Sequence, residues 1–327
     1  MKKICRSLAT VVLILSMILL SSCTRPEQSV EEKGKYDLLF GASSTAGMAY
    51  QWVTAFCELI NDHSDTVQAS AITTLGSSEN INLLAVNEID AGISTNIVAS
   101  TAMLGEADWA GHPVSGLNIV SYMYADYCYI CVPKDSPAET LEDLRGKRVN
   151  IGEKGGGVYT GMVEILKALG LDETYFKPYY LSVSDAVSSM QDGALDAVFI
   201  YGSATNSSIM ELQASKTGLK VIGFTTDEIS TICENNTALK PVEMTASYEG
   251  IPPVSTVGGA MCFMATEKLP AEVSHELCRI LDEYHDEFVT NTRWAETSTP
   301  ANTAGLTGGL IPLSEGTAQY LREIGID

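Results

Sequence analysis

The stretch Tyr36-Asp-Leu-Leu-Phe-Gly-Ala-Ser-Ser-Thr-Ala-Gly47 decides the fold class of this 327-residue chain. It predicts a strand over residues 36–41, a turn of small residues, and a helix over 47–61. The same order recurs along the chain, which is typical of an α/β protein with parallel strands. Further strands are predicted over 67–74, 91–94, 148–152, 179–183 and 196–201, and further helices over 78–87, 96–104, 157–169, 184–192, 207–214 and 271–290.

Two β-rich segments interrupt this alternation, at 117–132 and 219–224. We expect them to cross between two lobes and to form a hinge. Residues 36–126 and 224–327 would then form lobe 1, and residues 127–223 would form lobe 2. Near the start of lobe 2, Thr140 is predicted to cap a short helix. A cleft between two such lobes is the usual place for a ligand.

Three strand-to-helix turns are rich in Gly, Ser and Thr: turn 1 (41–47), turn 2 (75–79) and turn 3 (152–157). In a parallel sheet such turns gather at the carboxyl ends of the strands, where the ligand crevice lies. Each helix N-terminus offers free N–H groups and a partial positive charge, and small residues let the backbone approach a ligand. We therefore expect the three turns to hold a small polar solute without an arginine.

Two other interpretations of the turns remain open. Ser and Gly also favour simple N-caps and tight turns, which need no ligand. Glycine-rich turns also occur in nucleotide enzymes, but turn 3 lacks a following Lys-Ser/Thr and no GxGxxG pattern follows the first strand.

The N-terminal leader predicts where the protein works. Lys2, Lys3 and Arg6 precede an apolar run that ends in Leu20-Ser-Ser-Cys23, which looks like a bacterial lipoprotein signal. This predicts a signal peptide over 1–22, a lipidated Cys23, and a flexible tether over 23–35. The apolar run is shorter than the roughly 20 residues that span a bilayer. An ordinary cleaved signal peptide with a coincidental cysteine is the alternative.

The charge balance argues against one class of partner. The chain has 20 basic and 41 acidic residues, and the leader takes three of the basic ones. Phosphate binding needs a basic face, so we expect no nucleic-acid partner.

The cysteines and histidines give no metal or redox pattern. Six cysteines remain outside the leader and Cys23, with scattered spacing that is not a disulfide framework. Cys128 and Cys131 invite a redox or zinc interpretation, but in a strand these positions point to opposite faces, so buried thiols are expected. His285 lies among carboxylates without metal-ligand spacing. We expect no metal and no cofactor.

Several segments in order resemble the TAXI family of solute receptors, the extracytoplasmic component of TRAP (tripartite ATP-independent periplasmic) transporters. They are Gly76-Ser-Ser-Glu-Asn-Ile81, Asp143-Leu-Arg-Gly-Lys-Arg-Val149, Asp192-Gly-Ala-Leu-Asp-Ala-Val-Phe199, Ile311-Pro-Leu-Ser-Glu-Gly316 and Tyr320-Leu-Arg-Glu-Ile-Gly325. The resemblance runs from about residue 36 to 326.

This resemblance implies an α/β, two-lobed, periplasmic-binding-protein type II-like fold with a hinge and an interlobe cleft. It implies a receptor that captures a small organic solute, commonly a carboxylate or an acidic amino acid, and delivers it to a TRAP permease. The implied ligand-binding residues are Ser43, Ser44, Thr45, Gly47, Ser77, Ser78, Gly155, Gly156, Gly157 and Tyr201. Tyr50 and Tyr159 are added as residues that stack on or hydrogen-bond the ligand, although a core role suits each equally well.

Two rival functions follow from the same residues. An enzyme would need a nucleophile, a base and an orienting group in the cleft, and none of the four histidines lies in the turns; no enzyme is expected. A lipoprotein that serves an ATP-driven importer or a sensor kinase would use the same binding chemistry. Either receptor would be extracytoplasmic and anchored to the membrane through lipid.

Overall fold

The computed structural model describes residues 36–45, 47–245 and 250–326. The predicted signal peptide, Cys23 and the predicted tether lie outside these residues. None of the helices within them has both the length and the apolar character needed to cross a bilayer.

Strands and helices alternate as expected for an α/β protein. The strands are β1 Tyr36–Gly41, β2 Val67–Ile72, β3 Ala91–Thr95, β4 Leu117–Val132, β5 Arg148–Asn150, β6 Lys177–Tyr179, β7 Ala197–Gly202, β8 Lys220–Ile222, β9 Lys240–Met244 and β10 Val254–Thr266. The helices are α1 Met48–His63, α2 Ser77–Ala85, α3 Asn96–Leu104, α4 Gly157–Ala168, α5 Val183–Gln191, α6 Ser207–Ala214, α7 Thr226–Asn235, α8 Ala271–Glu283, α9 His285–Asn291, α10 Pro300–Ala304 and α11 Glu315–Glu323.

Two parallel groups of strands flank a central antiparallel pair. The sheet order is β2-β1-β3-β10-β4-β7-β5-β6, with β8 on β4 and β9 on β10. β1 runs parallel to β2 and β3, and we call these three the first parallel group. β5 runs parallel to β6 and β7, which form the second parallel group. The long strands β4 and β10 join the two groups.

Register shifts in the β4–β10 ladder decide which side chains of β4 face the helices. The shifts fall between Met261 and Cys262 and between Phe263 and Met264. Beyond them the pairing is regular, with Asp126 opposite Gly259 and Cys128 opposite Val257. Since side chains alternate along a strand, Asp126 shares the face of Cys128. That face belongs to the largest hydrophobic cluster.

This largest cluster links the two parallel groups. It contains buried residues of α2, α3, α4 and α7 together with both central strands. A second cluster packs α1 and α8 on the first group, where Phe40 meets Phe263 edge to face at 4.9 Å. Helices α2, α3 and α4 therefore pack together in one cluster, and they begin near the carboxyl ends of strands from both parallel groups.

Three local predictions are wrong. The predicted strand 179–183 ends early, at Tyr179, because the Ser182 hydroxyl accepts from the Asp185 N–H and starts α5. Thr140 caps no helix; its own N–H donates to the Asp143 carboxylate, ahead of a single 3₁₀ turn. The predicted helix 271–290 breaks at Tyr284, whose ring stacks on His63 at 3.6 Å. Strands β9 and β10 were not predicted.

The cysteine prediction is confirmed. Cys128 belongs to the largest cluster and Cys131 to a third cluster on the other face of β4. Both thiols are buried and free, and burial raises the pKa of each. Among the described residues, no three His, Cys, Asp or Glu side chains are grouped closely enough to hold a metal ion.

Candidate functional site

The helices that follow the three turns have glycine as the N-cap residue and no capping side chain among the described residues. The N-caps of α1, α2 and α4 are Gly47, Gly76 and Gly156, and no side chain caps any of them. In contrast, a Ser, Thr or Asn side chain caps α3, α5, α6, α7, α10 and α11. The other uncapped helices described, α8 and α9, have Pro270 and Tyr284 as their N-cap residues. First-turn N–H groups without caps are suited to binding an anionic ligand group.

Turns 2 and 3 touch each other across the two parallel groups. A β-carbon on Gly157 would lie 2.8 Å from Oγ of Ser77, closer than real β-carbons come. The hydroxyls of Ser78 and Thr160 are hydrogen-bonded at 2.9 Å in the interior. The N-terminal ends of α2 and α4 thus meet, and glycine at 157 is required for that approach.

Turn 1 is tied to turn 2 by a buried amide. The Asn80 side chain donates from Nδ2 to the carbonyls of Ala42, at 2.9 Å, and Gly41, at 3.3 Å. Thr74 donates to the same Ala42 carbonyl at 3.0 Å. The structure therefore brings all three turns together at the carboxyl ends of β1, β2 and β5.

The predicted serines differ in what they can offer a ligand. Ser77 and Ser78 are buried, and their hydroxyls bond to the Thr95 N–H and to Thr160. Their backbone N–H groups are therefore the parts suited to a ligand. In turn 1, Ser43 is half-buried, whereas Ser44 and Thr45 are exposed.

The three predicted tyrosines lie in different environments. Tyr50 packs against the cluster around α1. Tyr159 meets Tyr180 edge to face at 5.9 Å, with the Lys154 ammonium 4.4 Å from the Tyr180 ring. Tyr201 is buried, and its ring lies so close to Gly161 that a β-carbon there would collide with it.

A buried carboxylate that was not among the predicted site residues lies near these turns. Asp126 on β4 is fully buried, and neither oxygen has a hydrogen-bond partner among the described residues. Desolvation raises its pKa to about 8. The signal was present in the sequence, because Asp126 is the one charged residue in the strand segment 117–132.

A separate cavity of about 340 Å³ lies toward the C-terminal ends of α3 and α4. Lys167 bridges it with an ion pair to Glu106 at 2.5 Å and a longer contact to the buried Glu164 at 3.7 Å. None of the predicted binding residues lines this cavity.

Solved structures of other proteins share this fold. A structure from Bordetella bronchiseptica RB50 superposes with a TM-score of 0.55 and 12% identity, covering 89% of this chain and 98% of the other. A structure reported for glutathione import via GshT and the cystine ABC importer TcyBC of Streptococcus mutans gives a TM-score of 0.53 at 11% identity, covering 81% and 97%. The fold is that of two-lobed α/β solute-binding proteins of the periplasmic type, as predicted.

Within that class, residues 40–325 match the NMT1-like family, and the chain belongs to it. A curated relative is the putative aliphatic sulfonates-binding protein of Escherichia coli strain K12, 35% identical over 72 residues. That match covers 22% of this chain and 22% of the relative, so the chain matches about a fifth of the relative's length.

Proposed function

We propose that this protein is an extracytoplasmic receptor that captures a small organic solute with an anionic group and passes it to a membrane importer. The observation that carries this proposal is the contact between the glycine-capped N-termini of α2 and α4, with turn 1 tied to α2 through the Asn80 side chain. A carboxylate or sulfonate placed there would accept several backbone hydrogen bonds. The name of the E. coli relative supports an acidic solute.

An ATP-driven importer is the delivery partner that the relatives favour. The S. mutans structure was reported for glutathione import via GshT and the cystine ABC importer TcyBC. We therefore place the ATP-driven importer first.

Delivery to a TRAP permease is the second candidate, and the TAXI-like segments support it. Two of them, starting at Gly76 and at Asp192, contain most of turn 2 and the approach to β7. Uptake of labelled solute into membrane vesicles separates the two. Loss of uptake with vanadate indicates an ATP-driven importer, and loss with an ionophore alone indicates a permease driven by an ion gradient.

The leader supports a location outside the cytoplasm with a lipid anchor at Cys23. We expect the protein to fractionate with membranes and Cys23→Ser to release it. Membrane retention of that variant after leader cleavage would contradict the anchor.

Binding without turnover is the expected activity. Three of the four histidines are engaged away from the turns: His63 with Glu287, His275 with Glu323, and His285 with the Ala295 carbonyl. A bound solute should therefore be recovered unchanged after long incubation. Conversion of the solute would contradict the receptor proposal.

A thermal-shift screen tests the proposal directly. The purified protein is heated with sulfonates, carboxylates, amino acids and uncharged polar solutes, each at millimolar concentration. A ligand that binds only the closed native form stabilises it by mass action, by about 2.7 kcal/mol at 100 times its Kd. We expect one anionic or zwitterionic class to raise Tm. No shift with any class would contradict the proposal.

A further inference from the structure

Asp126 is buried, and no described residue supplies a compensating charge. It is fully buried, and both carboxylate oxygens lack a partner among the described residues. A buried polar group without a hydrogen bond is costly and rare in folded proteins. The titratable groups whose pKa values its charge raises are Tyr122, Tyr124, Tyr127, Cys128, Tyr201 and Cys262. No described lysine or arginine lowers the pKa of Asp126.

A second polar group without a partner lies beside it. The Tyr201 hydroxyl is next to Thr95 but makes no hydrogen bond of ordinary geometry with any described residue. Gly259 lies directly opposite Asp126 in the β4–β10 ladder. A β-carbon on Gly259 would lie 2.3 Å from Oδ1 of Asn96 and 2.9 Å from the Tyr201 oxygen, so glycine is required for the close approach of both groups. Since residues opposite each other in a ladder point to the same face, the Tyr201 hydroxyl lies on the face of the sheet that carries Asp126.

The Tyr201 hydroxyl is connected to the turns through Thr95. The Thr95 N–H donates to the Ser77 hydroxyl at 3.1 Å, and Ser77 contacts Gly157 of turn 3. Thr95 is also the N-cap of α3. Asp126 and Tyr201 therefore lie just below the place where turns 2 and 3 meet.

We propose that Asp126 is the counter-ion for an ammonium group of the solute, with the Tyr201 hydroxyl as a second acceptor. This inference rests on the proposed function and narrows it. The solute is then an amine-bearing organic acid, such as an amino acid or an aminosulfonate. Its anionic group binds at the helix N-termini, and its ammonium group reaches the carboxylate.

Matched pairs of probes that differ only in the amino group test this inference. The pairs are taurine with ethanesulfonate and glutamate with glutarate, titrated calorimetrically into the wild-type protein. We expect the amino member of at least one pair to bind on the order of 100-fold more tightly, because only its ammonium group can make a charge-assisted contact with the buried carboxylate. Equal binding within each pair would overturn the inference.

Two variants locate the effect. Asp126→Asn keeps the side-chain shape, removes the charge, and should abolish most of the preference for the amino member. Asp62→Asn removes the same charge at an exposed position on α1, and this variant should keep the preference for the amino member unchanged. Tyr201→Phe should reduce the preference partially. An unchanged preference in Asp126→Asn would overturn the inference.

Proton release gives a readout that does not depend on any variant. In the solute-free protein Asp126 holds its proton at pH 7, since burial raises its pKa to about 8. Pairing with an ammonium group requires the carboxylate, so binding should release close to one proton. Titrations in two buffers of different ionisation enthalpy measure that release. Binding without proton release would mean that Asp126 stays neutral, and would overturn the inference.

The outcomes separate this inference from the proposed function. Tight binding of ethanesulfonate or glutarate, with no preference for the amine, would support the receptor proposal and contradict the counter-ion role of Asp126. If no compound in the wider thermal-shift screen binds, the receptor proposal fails and this inference fails with it.

Discussion

Ser78 and Thr160 share a buried hydrogen bond of 2.9 Å, although 82 residues separate them in the chain. Ser78 lies in the first turn of α2, beside the first parallel group, and Thr160 lies in the first turn of α4, beside the second. The two hydroxyls meet only when turns 2 and 3 are together. The described arrangement therefore has the geometry of a closed cleft.

Removing one hydroxyl of this pair should weaken closure. Thr160→Val keeps the branched shape but leaves the Ser78 hydroxyl buried without that partner in the closed form. We expect a loss of about 1–2 kcal/mol, which makes solute binding about 5–30-fold weaker. Calorimetric titration with the solute found by screening measures this. Thr160→Ser is the matched control, and equal affinities in the two variants would contradict the role of this bond.

Adding one carbon at Gly157 should also hold the cleft open. Its β-carbon would lie 2.8 Å from the Ser77 hydroxyl oxygen and 2.9 Å from its β-carbon. The backbone of Gly157 is not in the left-handed region, so alanine should not strain the open form. We expect Gly157→Ala to weaken binding by about tenfold or more, as overpacking does, with little change in Tm without solute.

Gly309→Ala is the control for that variant, since its β-carbon would come no closer than 3.3 Å, to the Leu306 carbonyl. Wild-type affinity in Gly157→Ala would show that turns 2 and 3 need not approach for binding.

The hydrophobic pattern of the sequence predicted most helices and strands, because the residues inside each of these elements determine its type. The strands over 36–41 and 117–132 were predicted at their observed bounds, since apolar and β-branched runs mark them. Strand β10 was missed because Gly258 and Gly259 weaken its β pattern, and pairing along β4 supplies what local propensity lacks. The break at Tyr284 carries no Gly or Pro signal, because the stacking on His63 comes from a distant helix.

The candidate site divides in the same way. The three turns could be found from sequence because Gly and Ser before a helix are local signals. The Ser77 and Ser78 hydroxyls are hydrogen-bonded inside the protein to Thr95 and Thr160. Both partners are distant in the chain, so residue spacing within turn 2 could not predict these bonds. Asp126 was predictable as the one charge in an apolar strand, but its lack of a partner requires the packed structure.

The solute-free protein should lose stability as the pH rises toward 8. The pKa of Asp126 is about 8 when folded, against about 4 when unfolded, so the folded state holds a proton that the unfolded state gives up. Its stabilising contribution is therefore complete below pH 4 and is lost as the pH rises through 8. Urea unfolding from pH 5 to 8.5 measures this decline, and Asp126→Asn should flatten it. The same decline in Asp126→Asn would show that another group causes it.

The pair Arg148–Asp196 should show the opposite pH dependence and no effect on binding. The Arg148 guanidinium donates to both Asp196 oxygens, at 2.7 and 3.1 Å, and its backbone N–H donates at 2.8 Å. These contacts join the starts of β5 and β7, at the end of the sheet opposite the turns. They lower the pKa of Asp196, so its contribution to stability is present above the ordinary aspartate pKa and is lost as the pH falls through the folded pKa.

Since both side chains are partly exposed, Asp196→Asn should cost about 1–2 kcal/mol at pH 7 in urea unfolding. Arg148→Lys, which keeps the charge but not the two-point geometry, should cost less, and both variants should bind solute as the wild type does. Weaker solute binding in a folded Asp196→Asn variant would contradict this purely structural role for the second aspartate of the 192–199 segment.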